Sequence, residues 1–406
     1  MPTPAEVLAR PLVLPCGATL PNRIAKAAMS EALGDKDNGP SDRLLRLYER
    51  WGRSGAGMLL TGNVIVDRDG RTEPANVVLD DDRHLAGLRR WADAAQSNGA
   101  KLWMQISHAG RQSGRGITRT PLAPSAVGLR GMAGMFGVPR ALEGKEIEVL
   151  VERFGQAAGL AHAAGFGGVE IHGAHGYLVS QFLSPLVNKR EDEWGGDPQR
   201  RMALLLAIVE AMRAATAPDF PIGVKLNSAD FQRGGFTPED AIVVVHALEA
   251  AGIDLIEVSG GNYESPAMVG RGELGKNIRA STAAREAYFL EYAEQLHRQT
   301  QVPLMLTGGL RTAQTMADIV DGGAAAIVGL ARPMTLQPDL PARLLDGSVT
   351  EAAAFSSRIG IRKLDDALAV IWFQEQIHRM ADGKDPDPKL GKVGALVRGL
   401  MANLRG

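Results

Sequence analysis

From residue 23 to residue 347 the chain alternates short apolar runs of β-type with longer segments whose apolar positions recur at helical spacing. The short runs fall at 23–29, 57–61, 101–106, 168–172, 222–227, 254–258, 303–307 and 325–329. The amphipathic or Ala-rich segments lie near 41–54, 83–98, 145–164, 199–215, 237–251, 283–299, 312–321 and 337–346. Strands that are each followed by a helix are the signature of repeated βα units around a parallel sheet. Several helical segments stop on glycine, at Ala164-Gly165, Ala251-Gly252 and Asp321-Gly322-Gly323, where a left-handed residue can close the last turn. Eight units over roughly 320 residues predict one α/β fold, a closed (β/α)8 TIM barrel, whose usual size is about 250 residues plus insertions. A doubly wound sheet with a second domain is the alternative.

Three segments fall outside the repeat. The first residues suit an N-terminal hairpin leading into strand one. Residues 109–145, Gly- and Met-rich around 128–137, follow the third strand on the face where barrel enzymes keep their sites, so they read as a substrate lid or as an ordinary surface loop. Residues 348–406 hold a predicted helix at 362–380 and then a polar stretch at 382–388. The expected division is a barrel over 1–347 and a helical extension over 348–406 that covers the barrel or meets a second subunit.

Charge and cysteine content narrow the function. Forty-five basic and 46 acidic side chains leave a net charge of −1, too small a field to hold nucleic acid or an anionic membrane. A small-molecule partner is therefore expected, and a homo-oligomer, dimer or higher, is compatible. The one cysteine, Cys16, precludes an intramolecular disulfide, an iron–sulfur cluster or a Cys-rich zinc site within this chain. No run approaches a membrane span and the first residues lack the apolar core of a signal peptide, so a cytoplasmic location is expected.

Barrel chemistry gathers where strands end. The residues there are Ala27-Ala28-Met29-Ser30, Gly62-Asn63, Gln105 and His108, His172-Gly-Ala-His175-Gly-Tyr177, Lys225 and Asn227, Gly308-Gly309, and Gly329-Leu-Ala331-Arg332. Loops after strands seven and eight commonly bind phosphate; Gly308 and Gly309 permit close backbone approach and Arg332 offers a planar fork to phosphate oxygens. A plain turn accounts equally well for the glycines alone. The His172/His175 spacing suggests a metal site, yet two imidazoles need further ligands and no cysteine lies near. Two neutral imidazoles can instead polarise one ligand oxygen, and Tyr177, a phenol protonated at neutral pH, can supply a proton. Packed core residues are the bland reading of each taken singly. Gly270-Arg-Gly272-Glu-Leu-Gly275 fits a bare dinucleotide pattern and, with Lys276, nearly a P-loop, but it follows no strand directly and has Asn277 where a P-loop needs Ser or Thr.

Together these segments resemble the old yellow enzyme family of flavoprotein ene-reductases, from about residue 11 to residue 332. The resemblance is carried by Pro21-Asn22-Arg23-Ile24, by Gln105-Ile-Ser-His108-Ala-Gly110-Arg111, by His172-Gly-Ala-His175-Gly-Tyr177-Leu with Gln181-Phe-Leu-Ser-Pro185, and by Asn188-Lys-Arg190-Glu-Asp192-Glu-Trp-Gly195-Gly196. It implies non-covalent FMN, with NADH or NADPH as reductant and hydride transfer in two halves through one site to the C=C bond of an α,β-unsaturated carbonyl compound. Carried over by position, Ala27, Ala28, Met29 and Ser30 line the flavin, Asn63 adds a contact, Gln105 bonds the pyrimidine edge and Lys225 lies near N1 and C2=O. Gly308, Gly309, Ala331 and Arg332 take the phosphate. His172 and His175 grip the substrate carbonyl, and Tyr177 protonates Cα.

The departures matter too. Ser30 stands where many relatives carry Cys or Thr, Lys225 replaces a more frequent Arg, and Ala32 stands where one bacterial branch has a substrate-contacting Tyr. With too few cysteines for an iron–sulfur cluster, electrons are expected to come directly from a soluble donor. The alternatives are a flavin-dependent NADH oxidase or dehydrogenase of another small organic substrate, and a flavin-free barrel that handles a sugar phosphate.

Overall fold

The structure, a computed structural model, describes residues 2–130, 134–259, 290–353, 362–391 and 394. Eight parallel strands form its centre: β1 Ile24–Lys26, β2 Met58–Leu60, β3 Lys101–Ser107, β4 Gly168–Gly173, β5 Ile222–Asn227, β6 Leu255–Ser259, β7 Leu304–Thr307 and β8 Ile327–Leu330. Each pairs with the next, and β8 returns to β1, so the sheet closes on itself. The eight strands predicted from apolar runs are these eight, in this order. The closed sheet is a (β/α)8 barrel.

Side chains alternate between inside and outside because the strand period is two. Outward residues such as Ile106, Val169, Ile171, Val224 and Val258 join the helices in one large apolar cluster. Inward residues form a second, smaller one: Ala25, Met58, Leu60, Trp103, Leu255, Met305 and Ile327. A two-stranded antiparallel hairpin, Leu12–Val13 with Thr19–Leu20, brings Leu14 and Leu20 into that inner cluster. Trp103 fills the barrel so fully that a Cβ on Gly168 would come within 2.6 Å of its ring and one on Gly223 within 3.1 Å. Truncating such a buried Trp to Ala costs about 3–5 kcal/mol. One residue pair further along, the interior turns polar, with Gln105, Glu170, Lys225 and Glu257 all buried.

The differences from the predicted boundaries have local causes. β6 begins at Leu255, because Asp254 is a latch rather than a strand residue. Its carboxylate accepts from the Ile222 and Cys16 backbone N–H groups at 2.8 and 2.9 Å and from Arg213 at 2.8 Å, tying hairpin, sheet and helix together. The helix expected at 199–215 breaks at Met202 into Pro198–Arg201 and Ala203–Ala214. The one expected at 337–346 starts at Leu340, with Pro341 in its first turn, and a short helix Pro333–Leu336 precedes it. Of the helix expected at 283–299, residues 290–297 are helical and the earlier ones lie outside the described residues, as does the Gly270–Gly275 motif. The loop after β3 holds a 3-10 turn at Gly110–Gln112 and a short parallel pairing of Leu122–Ala123 with Arg140–Ala141.

The helix Arg362–Ala381 lies against the helix Asp42–Gly52. Arg43 Nε donates to Asp382 Oδ1 at 2.7 Å and Arg46 Nη1 to the Ala381 carbonyl at 2.6 Å. Among the described residues no helix is long and apolar enough to cross a membrane.

Candidate active site

The segment after β4 builds the densest polar cluster at the mouth. His172 points inward from the strand, and the chain then turns through His175, whose φ of 61° is a left-handed conformation disfavoured for a residue with a Cβ. Such strain persists only where surrounding contacts enforce it. Here the His175 N–H donates to Asn227 Oδ1 at 3.2 Å, and Gln112 Nε2 donates to the His175 carbonyl at 3.0 Å. The rings form a chain. His172 Nδ1 is 2.9 Å from Asn63 Oδ1, His172 Nε2 is 2.9 Å from His175 Nδ1, and His175 Nε2 is 2.6 Å from Ser259 Oγ. Tyr177 sets its ring edge-on to His172, centroids 4.7 Å apart, and caps the helix Leu178–Leu183.

Burial, with the Lys225 ammonium, holds both imidazoles well below the usual histidine range, and for His172 the neighbouring His175 adds to this. Both are neutral at pH 7, so each ring carries one N–H. One consistent assignment runs Ser259 O–H to His175, His175 N–H to His172 and His172 N–H to Asn63; the opposite direction needs only a turned Asn63 amide. An incoming oxygen that takes an N–H from this pair must part a contact of 2.9 Å between them. Among the described residues no group of three or more His, Cys, Asp or Glu is disposed to hold a metal ion.

Beneath the histidines lies the polar layer of the barrel. Gln105 Nε2 donates to Glu170 Oε1 at 2.7 Å, and Lys225 Nζ donates to Glu257 Oε1 at 2.8 Å. Across the barrel, Gly308 and Gly309 follow β7 at φ of 114° and 78°, conformations that favour glycine. Gly329 on β8 also has no room for a side chain, since a Cβ there would lie 2.1 Å from Thr307 Oγ1. These glycines line one pocket with Ala331, Arg332 and Phe373, and the Arg332 guanidinium lies 6.0 Å from the Phe373 ring centroid.

Between these two ends runs Ala27-Ala28-Met29-Ser30. Ala27 is fully buried, its N–H donating to the Leu330 carbonyl at 2.9 Å, and the next three are half-buried. Ser30 Oγ donates to Glu73, whose carboxyl also meets Gln374; burial pushes that carboxyl above the usual range. The next residue, Glu31, offers its carbonyl to His378 Nε2 at 2.9 Å. Phe373, Gln374 and His378 all belong to the helix Arg362–Ala381.

The sequence-predicted residues thus gather at the ends of β1, β3, β4, β5, β7 and β8 on one face. Asn63, which follows β2, engages its amide with His172. Sequence reasoning missed Ser259, Glu170, Glu257, Glu73 and the three residues of the C-terminal helix. Glu170 and Glu257 were findable: each sits on a predicted strand, and period-two alternation puts Glu170 on the same face as His172.

An amide and an ammonium at one end, a glycine backbone cradle with a guanidinium at the other, and a small apolar wall between them fit an elongated cofactor with a hydrogen-bonding ring and a phosphate, as FMN is. Fold and site define a cofactor-dependent barrel oxidoreductase. The chain belongs to the NADH:flavin oxidoreductase / NADH oxidase family, whose model matches residues 8–351. It is 36% identical over 396 residues to the NADH-dependent flavin oxidoreductase iliE of Neonectria sp. (strain DH2), covering 88% of this chain and 52% of that protein. It therefore spans about half the length of that relative. With the NADH-dependent flavin oxidoreductase iliE of Hypocrea jecorina (strain QM6a) it shares 37% identity over 353 residues, covering 82% of this chain and 87% of the other. The structure of the old yellow enzyme homologue from Zymomonas mobilis superposes with a TM-score of 0.70 at 25% identity, covering 86% of this chain and 94% of that one. The old yellow enzyme resemblance is thus upheld, with FMN as cofactor and a reduced nicotinamide as reductant.

Proposed function

We propose that this protein reduces the activated C=C bond of α,β-unsaturated carbonyl compounds at the expense of NADH or NADPH. The observation that carries the reading is the placing of two neutral imidazoles and one phenol in a single loop at the barrel mouth. Bound FMN supplies the hydride carrier between nicotinamide and substrate. Gln105 and Lys225 hold its pyrimidine end, Gly308, Gly309, Ala331 and Arg332 hold its phosphate, and Ala27, Ala28, Met29 and Ser30 line the ring between them. Asn63 acts one step back, orienting His172 through the bond to its Nδ1.

His172 and His175 part to bind the substrate carbonyl oxygen, His172 through Nε2–H with the Asn63 amide nitrogen donating to its Nδ1, and His175 through Nδ1–H with the Ser259 hydroxyl donating to its Nε2. Because both rings are neutral, they donate N–H without delivering a proton, and the oxygen gains enolate character as the hydride arrives at Cβ. Tyr177 then gives its phenolic proton to Cα. Buried beside His172, it is screened from bulk water, which favours transfer from this one donor. The helix Arg362–Ala381 forms part of the same cofactor site, a reading supported by the contacts of Gln374 with Glu73 and of Phe373 with Arg332.

The rival reading, an NADH oxidase, draws on the family name and on the closed histidine chain, which oxygen need not open. Steady-state turnover with cyclohexenone and with oxygen separates the two. Tyr177→Phe is expected to lower enone reduction by about 10²–10⁴-fold, the usual worth of a general acid, and to leave oxygen-driven NADH oxidation unchanged. Undiminished enone reduction rules out Tyr177 as the proton donor. Rapid NADH oxidation with no enone turnover in the unaltered protein favours the oxidase.

A further inference from the structure

Two carboxyl groups sit inside the barrel with no part in the chemistry above. Glu170 on β4 and Glu257 on β6 are fully buried and flank β5, which carries Lys225. Strand register sets Glu170 opposite Gln105 and Lys225 opposite Glu257. One oxygen of each is used: Glu257 Oε1 accepts from Lys225 Nζ at 2.8 Å and Glu170 Oε1 from Gln105 Nε2 at 2.7 Å. The second oxygen of each is buried without a hydrogen bond, and the two carboxyl groups lie within hydrogen-bonding reach of one another.

A single proton resolves this arrangement. Burial and then the Glu257 charge hold Glu170 well above the usual carboxylate range, so Glu170 is the member that carries it. Its O–H satisfies the free oxygen of Glu257, and its carbonyl oxygen remains an acceptor for Gln105. The layer then contains one ammonium, one carboxylate and one neutral acid, a balanced set in a low-dielectric interior. Because Glu170 Oε1 only accepts, Gln105 must turn Nε2 toward it, and the amide oxygen faces away. A flavin pyrimidine presents N3–H as a donor on its edge, and an amide oxygen is what that edge requires.

We propose that Glu257 and Glu170 are positioning residues for the cofactor's pyrimidine ring: Glu257 aims the Lys225 ammonium and offsets its charge, and Glu170 fixes the Gln105 amide with its oxygen toward the ring. The inference rests on the assignment of Lys225 and Gln105 to that end of FMN, since both carboxyls act through them. Glu257 therefore sets how much positive charge the electrons meet on reduction, and Glu170 sets the hydrogen-bond polarity of the edge.

The test measures the midpoint potential of bound FMN and its dissociation constant by fluorescence quenching. In Glu257→Gln alone, Glu170 can ionise and partly replace the lost charge. The Glu170→Gln/Glu257→Gln pair leaves no carboxyl, and reduced FMN is expected to gain at least tenfold in affinity relative to oxidised FMN, a rise of about 30 mV for a two-electron couple. Glu170→Gln alone is expected to weaken FMN binding about tenfold at an unchanged potential, because a neutral amide lets Gln105 turn over. Lys225→Met is expected to lower the potential. A double Gln variant that holds FMN at the unaltered potential overturns the proposal. If Lys225→Met also leaves the potential unmoved, the fault lies in placing Lys225 at the flavin. Should the carboxyl-free chain not fold, Glu257→Asp, which draws the charge back from Lys225 by one methylene, is expected to raise the potential by a smaller amount; no rise there overturns the proposal equally.

Discussion

Acid should weaken this fold through a histidine outside the proposed catalytic loop. His108 follows β3, is buried, and accepts the Gly110 N–H at Nδ1 over 3.0 Å. Gly70 lies on its other side so closely that a Cβ there would come within 2.4 Å of the ring. Burial chiefly, and the Arg153 charge after it, press its pKa from 6.5 to about 4 against the opposing pull of Asp67. The folded state therefore declines a proton that the unfolded chain accepts, and stability falls as pH drops from about 6.5 to about 4 and then levels. The full difference is worth about 3 kcal/mol, of which about 2 kcal/mol is lost by pH 5. Urea unfolding at pH 7 and pH 5 measures it when the unaltered protein is compared with His108→Asn, whose Oδ1 replaces Nδ1 as acceptor. His172 and His175 are present in both and cancel. The unaltered protein should lose about 2 kcal/mol more between the two pH values than the variant does. Equal losses would refute the reasoning.

Gly309→Ala forces a Cβ into a backbone at φ 78°, at about 1–2 kcal/mol. Its loop should relax away from the phosphate, and titration of apoprotein should find FMN bound about tenfold more weakly. Phe373→Ala removes the ring beside Arg332, an interaction of about 0.5–1 kcal/mol, and should weaken FMN about threefold in the same titration. Cys16 is half-buried, and burial pushes its thiol up to about 11. Iodoacetamide at pH 8 should label it at least about 100-fold more slowly than it labels a free cysteine; labelling at the free rate would count against that environment.

The barrel was legible because its signal is local. Strands buried on both faces read as near-continuous apolar runs, and glycine stops separate them from the helices, so eight units could be counted without knowing any contact. The loop proposed to be catalytic was legible because three reactive side chains fall within six residues, His172 to Tyr177. Boundaries failed where one side chain serves a distant part of the chain, as Asp254 does, which reads as the start of a strand but latches a hairpin more than two hundred residues earlier. The carboxyl layer was missed because a glutamate in an apolar strand looks like an interruption until closure places it opposite a lysine. The links from Phe373, Gln374 and His378 to Arg332, Glu73 and Glu31 leave no periodic trace at all, since each joins residues set by topology rather than by neighbours in sequence.

Those last links bear on how the protein is made. The helix Arg362–Ala381 touches the loops after β1, β2 and β8, and a ribosome delivers it only when all eight strands have emerged. A nascent barrel can close its sheet and bury its apolar core while the pocket beside Arg332 and the turn around Ser30 still lack their outer wall. With the helix forming part of the flavin site as proposed, cofactor capture becomes a late event of biogenesis, and a chain stalled or cleaved before residue 362 is expected to be a folded-looking barrel with a leaky grip on its flavin.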